Sequence, residues 1–422
     1  MKKIIRVGDV KIGGDYPIAV QTMSNLPAAD ISAVIRQAAE CFDAGCKIFR
    51  IAVPDFETAA AVKKIKKEIK MPLVADIHFD FRLGIEAAKN GADKLRINPG
   101  NMKKDDLKKL VKTAKEYGIP VRVGVNGGSL EKKYAEIFSR HGSENGGFTA
   151  QENARESGFI LQNNIEKSGC IPQNNIEKSG CVSQNSIEKN GDFLRYGTAG
   201  NTRENARFGD GDLVQKRAYA LAASAMDGVR LLEERDFFDI VVSLKSSSVR
   251  ETVAAYRLAD GLCGYPLHIG ITEAGGERTG LVKSAAGLSA LLIDGIGDTL
   301  RVSLTADPVK EVAAALSILR AVGIDKNYAE IVSCPKCGRC SYDTERLLKI
   351  AEDIVKDVKK PLKIAVMGCV VNGPGEAGEC DVGIAFGEGR AAVFKDGKVF
   401  KTAECVEAER IFLDKLRELA GG

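Results

Sequence analysis

Short runs rich in β-branched and aliphatic residues recur along the first three hundred positions, at 17–23, 46–53, 72–78, 94–98, 120–126, 239–245, 266–272 and 299–303. Between them the apolar positions switch to a helical period. Ile31, Val34, Ile35, Ala38 and Ala39 make one stripe; Val214, Ala218, Leu221, Ala222, Ala225, Val229 and Leu232 make another. Gly45, Gly91, Gly118 and Gly323 stand where helices should stop, because glycine turns through left-handed geometry without a steric penalty. Eight strands alternating with helices, and buried on both faces, predict an α/β fold of the (β/α)8 TIM-type barrel class over 1–325. An open doubly wound sheet is the alternative, but no Gly-x-Gly-x-x-Gly turn follows the first strand.

Two segments depart from this rhythm. Residues 138–211 are rich in Asn, Gly, Ser and Glu, and a string beginning at Gln162 returns at Gln173 and more loosely at Gln184, a period of eleven. One Ile per copy buries too little to offset the entropy of ordering, and a Gly in every copy makes a long helix costly. The segment therefore reads as a flexible low-complexity insertion after the fifth strand, on the side of a barrel where active sites lie. Residues 326–422 form a second, small α/β domain. Its expected order is a cysteine cluster at 333–340, a helix at 344–358, a strand at 362–367, a Gly-rich loop at 368–378, a strand at 381–386, a hairpin turning at 395–398 and a helix at 406–419.

Composition narrows the function classes. The chain has 422 residues, 44% hydrophobic and 28% charged, which suffices for a folded core. A net charge of +4, 6% aromatics and no Trp argue against a nucleic-acid binder. No stretch of ~18 apolar residues occurs and no secretory signal is present, so a cytoplasmic protein without a membrane span is expected. Eleven cysteines in such a protein suggest metal or redox chemistry over disulfides. Cys334, Cys337, Cys340, Cys369, Cys380 and Cys405 all fall in the second domain.

Nearly every predicted barrel strand ends in a polar residue. These are Gln21 and Thr22, Arg50, Asp76 and His78, Arg96 and Asn98, Arg122 and Asn126, Lys245 and Ser246, His268, Thr272 and Glu273, and Arg301 and Ser303. A barrel gathers them into one ring. Four Arg and one Lys face only two carboxylates there, Asp76 and Glu273, so the ring is expected to bind an anion, most simply a phosphorylated small molecule. Glu273 is a candidate proton donor once negative charge has entered. His78 and His268 read equally well as hydrogen-bonded core histidines.

In the second domain, Cys334 and Cys337 form a tight chelating turn, and Cys369 follows a predicted strand. Structural zinc and an iron–sulfur cluster both suit thiolates; the lack of a second Cys-x-x-Cys apart from the 334–340 cluster, or of a His in this domain, favours the iron–sulfur reading. Spacing alone leaves Cys340 or Cys380 as a fourth ligand.

The strings RIAVP (50–54), ADIHF (75–79), RINPGN (96–101), RVGVN (122–126), CPKC (334–337) and GCVVNGPGE (368–376) resemble the bacterial-type 4-hydroxy-3-methylbut-2-enyl diphosphate synthase family of the methylerythritol phosphate route to isoprenoids. The likeness spans the chain except the repetitive insertion. It implies a barrel that binds 2-C-methyl-D-erythritol 2,4-cyclodiphosphate and a domain that holds a [4Fe–4S] cluster. The ligands it implies are Cys334, Cys337, Cys369 and Glu376, with Cys340 and Cys380 as bystanders. It further implies reductive ring opening with loss of water, electrons from a reduced flavodoxin or ferredoxin, and a homodimer that shares active sites between subunits. A phosphate-binding barrel lyase with a structural zinc domain, or a non-catalytic iron–sulfur scaffold, would fit the residues without the resemblance.

Overall fold

In the computed structural model the described residues are 2–78, 80–98, 102–130, 133–135, 211–371 and 373–421. The expectations placed on the repetitive insertion lie outside them up to residue 210. The chain divides into two compact units, Met1–Ile318 and Leu319–Gly422. The division falls a few residues before the 325/326 boundary read from composition. The last turn of the final barrel helix already groups with the second unit, since Arg320 pairs with Asp325 and lies over the Tyr328 ring.

The first unit is built on eight parallel strands: β3 (Ala19–Met23), β4 (Ile48–Ala52), β5 (Leu73–Asp76), β6 (Lys94–Ile97), β7 (Val121–Asn126), β8 (Ile240–Lys245), β9 (His268–Ile269) and β10 (Thr299–Leu300). Their order in the sheet is β8-β7-β6-β5-β4-β3-β10-β9, and a parallel bridge between Val242 and Leu267 closes the ring. Each of the eight runs read from the sequence contains one of these strands. Helices follow them: α1 (Ile31–Asp43), α2 (Phe56–Glu68), α3 (Phe81–Lys89), α4 (Lys104–Tyr117), α5 (Gly211–Glu233), α6 (Val249–Leu262), α7 (Glu277–Ile293) and α8 (Pro308–Ala321). Acceptor side chains cap several of them. Asp30 takes the Ala33 N–H of α1, and Asp55 forms a reciprocal box with Thr58 in α2. Gly45, Gly91, Gly118 and Gly323 all have positive φ.

The pattern of runs did not reveal the hairpin β1 (Ile5–Val7) and β2 (Val10–Ile12). Three residues per strand are too few to establish an alternation. Ile5, Val7 and Ile12 pack with Ala19, Ile48, Val74 and Val241, residues at or near the N-terminal ends of barrel strands. Apolar packing thus fills one end of the barrel interior, and the polar side chains occupy the other.

The second unit is a five-stranded sheet in sequence order: β11 (Ala329–Ser333), β12 (Leu362–Met367), β13 (Val382–Phe386), β14 (Arg390–Lys395) and β15 (Lys398–Glu404). The first three strands run parallel and the last two antiparallel. The tight turn at Asp396 and Gly397 has positive φ at both residues, as a two-residue hairpin demands. Its helices are α9 (Thr344–Val355), α10 (Gly373–Ala377) and α11 (Cys405–Gly421). Leu347 and Ala351 of α9 and Phe412 and Leu416 of α11 bury against Ile364, Val366, Ile384 and Phe386. Each large side chain removed from water there contributes about 1.5–3 kcal/mol. Strand β11, half-buried at the sheet edge, was not foreseen because its Ala-Glu-Ile-Val-Ser sequence carries only a short apolar stretch.

Candidate functional site

Successive residues of a strand point to opposite faces, so residues two apart share the barrel interior. On β6 these are Lys94 and Arg96, with Asn98 just beyond; on β7 they are Arg122 and Gly124; on β8 they are Ser243 and Lys245. Arg50, Asp76, Lys94, Arg96, Asn98, Arg122, Lys245 and His268 are all buried. Arg96 Nη1 donates to Asp76 Oδ1 at 3.3 Å and lies 3.1 Å from His78 Nε2, while Nη2 donates to the Gly124 carbonyl at 3.3 Å. His78 Nε2 is itself 3.4 Å from Asp76 Oδ2. Burial alone would raise the Asp76 carboxyl. The charge of Arg50, the hydrogen bond from His78 and the charges of Arg96 and Arg122 overrule it, and its pKa sits well below the usual carboxylate range.

Glycine makes room for this packing. A Cβ at Gly124 would stand 2.5 Å from Arg96 Nε, and one at Gly270 would stand 2.8 Å from the Arg301 carbonyl and 2.9 Å from Lys245 Nζ. Behind the arginines, Lys245 Nζ lies 3.2 Å from His268 Nε2, and His268 Nδ1 lies 2.7 Å from Thr299 Oγ1. Burial, followed by Arg122 and Lys245, lowers the His268 pKa, so the imidazole is neutral. A neutral ring beside a lysine accepts at Nε2 and donates from Nδ1 to Thr299. Of the two histidines, His268 is the hydrogen-bonded core residue, whereas His78 is about half exposed at the rim.

The balance of charge differs from the sequence reading in two respects. Arg301 is not an uncompensated cation. Glu311, in the first turn of α8, accepts from Arg301 Nε at 3.3 Å and Nη2 at 3.2 Å, and also from Thr22 Oγ1 and the Leu304 N–H. Counting carboxylates only at strand ends missed it, because a residue from the following helix reaches back over the strand. Lys94 departs from the sequence reading for the opposite reason: it begins its run, where a lysine reads as part of the strand and not of the ring. It is fully buried, and its Nζ is 3.4 Å from Gln21 Oε1. Burial, then Arg122 and Arg50, pushes its pKa down.

Arg122 is the feature that points outward to a ligand. It is 2% exposed, and its Nε and Nη1 make no hydrogen bond among the described residues. A guanidinium retains its charge and its need for acceptors in almost any environment. Two buried, unsatisfied donors beside Arg50 and Arg96 suit a bidentate oxyanion. Around them stand Asn126, Thr272 and Ser303, all half-buried, and the exposed Glu273, whose φ of 51° places a non-glycine residue in the left-handed region.

In the second unit, Cys334 and Cys369 follow neighbouring parallel strands, with Ser333 opposite Val366 in the register. Cys334 Sγ accepts the Gly368 N–H at 3.1 Å, and the Cys337 carbonyl accepts the Cys340 N–H at 2.9 Å. Gly368 permits close packing here, since a Cβ would meet Cys340 Sγ at 2.6 Å. Cys340 donates to the Tyr342 carbonyl, and the buried Cys380 donates to the Glu376 carbonyl at 3.1 Å. Burial raises the Cys380 thiol above its ordinary value. Glu376 lies on α10 with its side chain exposed. Among the described residues, no three His, Cys, Asp or Glu side chains are drawn close enough together to hold a metal ion. The donor chemistry nevertheless fits a thiolate-bound cluster. Two cysteines leave adjacent strand ends, a third sits in the intervening turn, and a backbone N–H already points at the Cys334 sulfur.

Comparisons with known proteins agree with both units. The GcpE TIM-barrel domain matches residues 2–158 and 188–316, and the GcpE protein C-terminal domain matches 330–418. The 4-hydroxy-3-methylbut-2-en-1-yl diphosphate synthase (flavodoxin) of Caldanaerobacter subterraneus subsp. tengcongensis is 42% identical over 98% of this chain and 95% of its own. That of Fusobacterium nucleatum subsp. nucleatum is 41% identical over 99% and 96%. Among solved structures, Stenotrophomonas maltophilia dihydropteroate synthase covers 76% of this chain and 97% of its own, at 11% identity and a TM-score of 0.44. With a barrel match, a C-terminal match and about 40% identity along nearly the whole length, the chain belongs to the GcpE family of 4-hydroxy-3-methylbut-2-en-1-yl diphosphate synthases.

Proposed function

We propose that this chain is an iron–sulfur oxidoreductase that converts 2-C-methyl-D-erythritol 2,4-cyclodiphosphate to (E)-4-hydroxy-3-methylbut-2-enyl diphosphate, with reduced flavodoxin as electron donor. The overall change takes two electrons and two protons, opens the ring and releases water. The observation that carries this reading is the buried Arg122 with two unsatisfied guanidinium donors, flanked by Arg50, Arg96 and Lys245 in a barrel of this family.

In this reading Arg50, Arg96, Arg122 and Lys245 bind the diphosphate, and Asp76 with His78 fixes the orientation of Arg96. Asn98, Asn126, Thr272, Arg301 and Ser303 line the remaining polar rim, and His268 holds Lys245 from behind. Glu273 supplies a proton to the departing oxygen. Its exposure keeps it open to solvent and able to reload. Cys334, Cys337 and Cys369 would hold a [4Fe–4S] cluster, with Glu376 as the fourth ligand. Such a cluster would supply the electrons one at a time, and Glu376 would offer it a ligand harder and more exchangeable than a thiolate. The hydrogen bond from the Cys380 thiol to the Glu376 backbone steadies the turn that presents this carboxylate.

The family resemblance also supports a cytoplasmic homodimer in which each active site uses both subunits. Among the described residues no helix is long and apolar enough to cross a membrane. Mixing Arg122→Ala with Cys369→Ala subunits should then restore part of the activity lost in each. The direct test of the reaction is anaerobic incubation of the iron-loaded protein with the cyclic diphosphate and reduced flavodoxin. The linear hydroxybutenyl diphosphate is the expected product. Recovery of unchanged substrate with a fully loaded cluster would overturn the proposal.

A further inference from the structure

Lys94 is the one buried cation of the described barrel interior that the proposed chemistry leaves without a role. Every charged or titratable group around it has another partner or the same sign. On β5, Asp76 is engaged by Arg96 and His78. On β8, Lys245 meets His268 of β9. On β10, Arg301 is held by Glu311 of α8. The charges felt most strongly at Lys94 are Arg122 of β7 and Arg50 of β4, both positive. Its nearest acceptor is Gln21 Oε1 of β3 at 3.4 Å, and Gln21 Nε2 has no partner among the described residues. A wholly buried ammonium facing only cations and one neutral oxygen is destabilised relative to the amine, and an arriving anion opposes that shift.

We propose that Lys94 is a further anion-binding residue of the barrel, one that takes up a proton from solvent when a diphosphate occupies the chamber. The inference rests on the reading that the barrel binds the cyclic diphosphate. Along β6, Lys94 lies two residues below Arg96, on the same inward face. The amine gains one proton from buffer, no bond to substrate forms, and the new charge offsets one of the ligand's two. The cyclic diphosphate carries one strongly acidic oxygen on each phosphorus and has nothing that titrates near neutrality, so any proton counted belongs to the protein.

The test is calorimetric titration of the cluster-loaded, unreduced enzyme with 2-C-methyl-D-erythritol 2,4-cyclodiphosphate at about pH 8. Two buffers of different ionisation enthalpy, HEPES and Tris, report the protons exchanged. The expected result is uptake of about one proton per site in the wild type. Uptake should fall to near zero in Lys94→Met, which still binds. If that variant does not fold, Lys94→Arg, charged at every pH used, should abolish uptake in the same way. Heats in the wild type that do not depend on buffer would overturn the proposal. So would undiminished uptake in a folded Lys94 variant, which would assign the proton to the neighbouring Lys245–His268 pair. Absence of any binding heat would remove the diphosphate reading itself, and this inference with it.

Discussion

Arg96 and Asp76 form an ion pair at 3.3 Å with both side chains about 95% buried, inside a ring that is otherwise almost wholly cationic. The pair is a clamp: Asp76 holds one guanidinium still, and its charge reaches Arg50 and Arg122 as well. Asp76→Asn should therefore cost about 3–5 kcal/mol of stability, because it strands buried positive charge. It should also lower kcat/KM by at least ~100-fold, since an arginine displaced by 1 Å no longer meets its oxyanion. Denaturant unfolding together with steady-state kinetics checks both effects. The native Asp76 pKa lies below its ordinary 3.8, so its stabilisation is complete above that value and is lost as pH falls toward the native pKa. The variant should be correspondingly flat in acid.

Gly124→Ala tests the same clamp from outside the charge network. The added methyl meets Arg96 Nε at 2.5 Å, so the guanidinium must move. A loss of about 10–100-fold in kcat/KM is expected, with a stability change below about 2 kcal/mol. Wild-type kinetics in this variant would show that the position of Arg96 does not matter.

The cysteines should separate into two groups. Serine at Cys334, Cys337 or Cys369 should abolish the broad absorbance near ~400 nm of the reconstituted protein. Cys340→Ala and Cys380→Ala should retain it, because those thiols already serve the Tyr342 and Glu376 carbonyls. Glu376→Cys should keep the absorbance but lose most turnover, as a fourth thiolate exchanges poorly. Full activity in that variant would contradict the exchangeable-ligand assignment.

Lys94 gives a pH dependence of the same sign as Asp76 but in the alkaline window, where a buried amine regains a proton only at a cost to the fold. The folded protein holds its pKa below the ordinary 10.5, so the unfolded chain binds more protons between the two values. The stability of the ligand-free protein should therefore rise with pH across that window and level off above about 10.5. Lys94→Met should be more stable near neutrality and should lose part of the slope. Melting temperatures of wild type and variant from about pH 7 to 10 measure the difference.

The barrel and its cationic mouth were legible in the sequence because strand ends are marked by a change in chemistry. Arg50, Arg96, Arg122 and Lys245 interrupt apolar runs, and a closed ring leaves them one place to converge. Glu311 was not legible, since no local pattern shows a residue on the following helix folding back onto Arg301. Lys94 was hidden by its position at the start of a strand, where a lysine usually reaches solvent. The short β1–β2 hairpin and the edge strand β11 lacked the length from which a period can be read. In the second unit the cysteine spacing exposed the candidate ligands, whereas the packing that occupies Cys340 and Cys380 depends on Gly368 and on the turn through Glu376, which only the fold brings together.

The account depends most on the iron–sulfur cluster acting with this barrel. The decisive measurement is turnover of the cyclic diphosphate by anaerobic preparations of graded iron and sulfide content. Activity should rise in proportion to the fraction of [4Fe–4S] sites filled and vanish in the cluster-free protein. Full turnover by protein without iron or sulfide would contradict it.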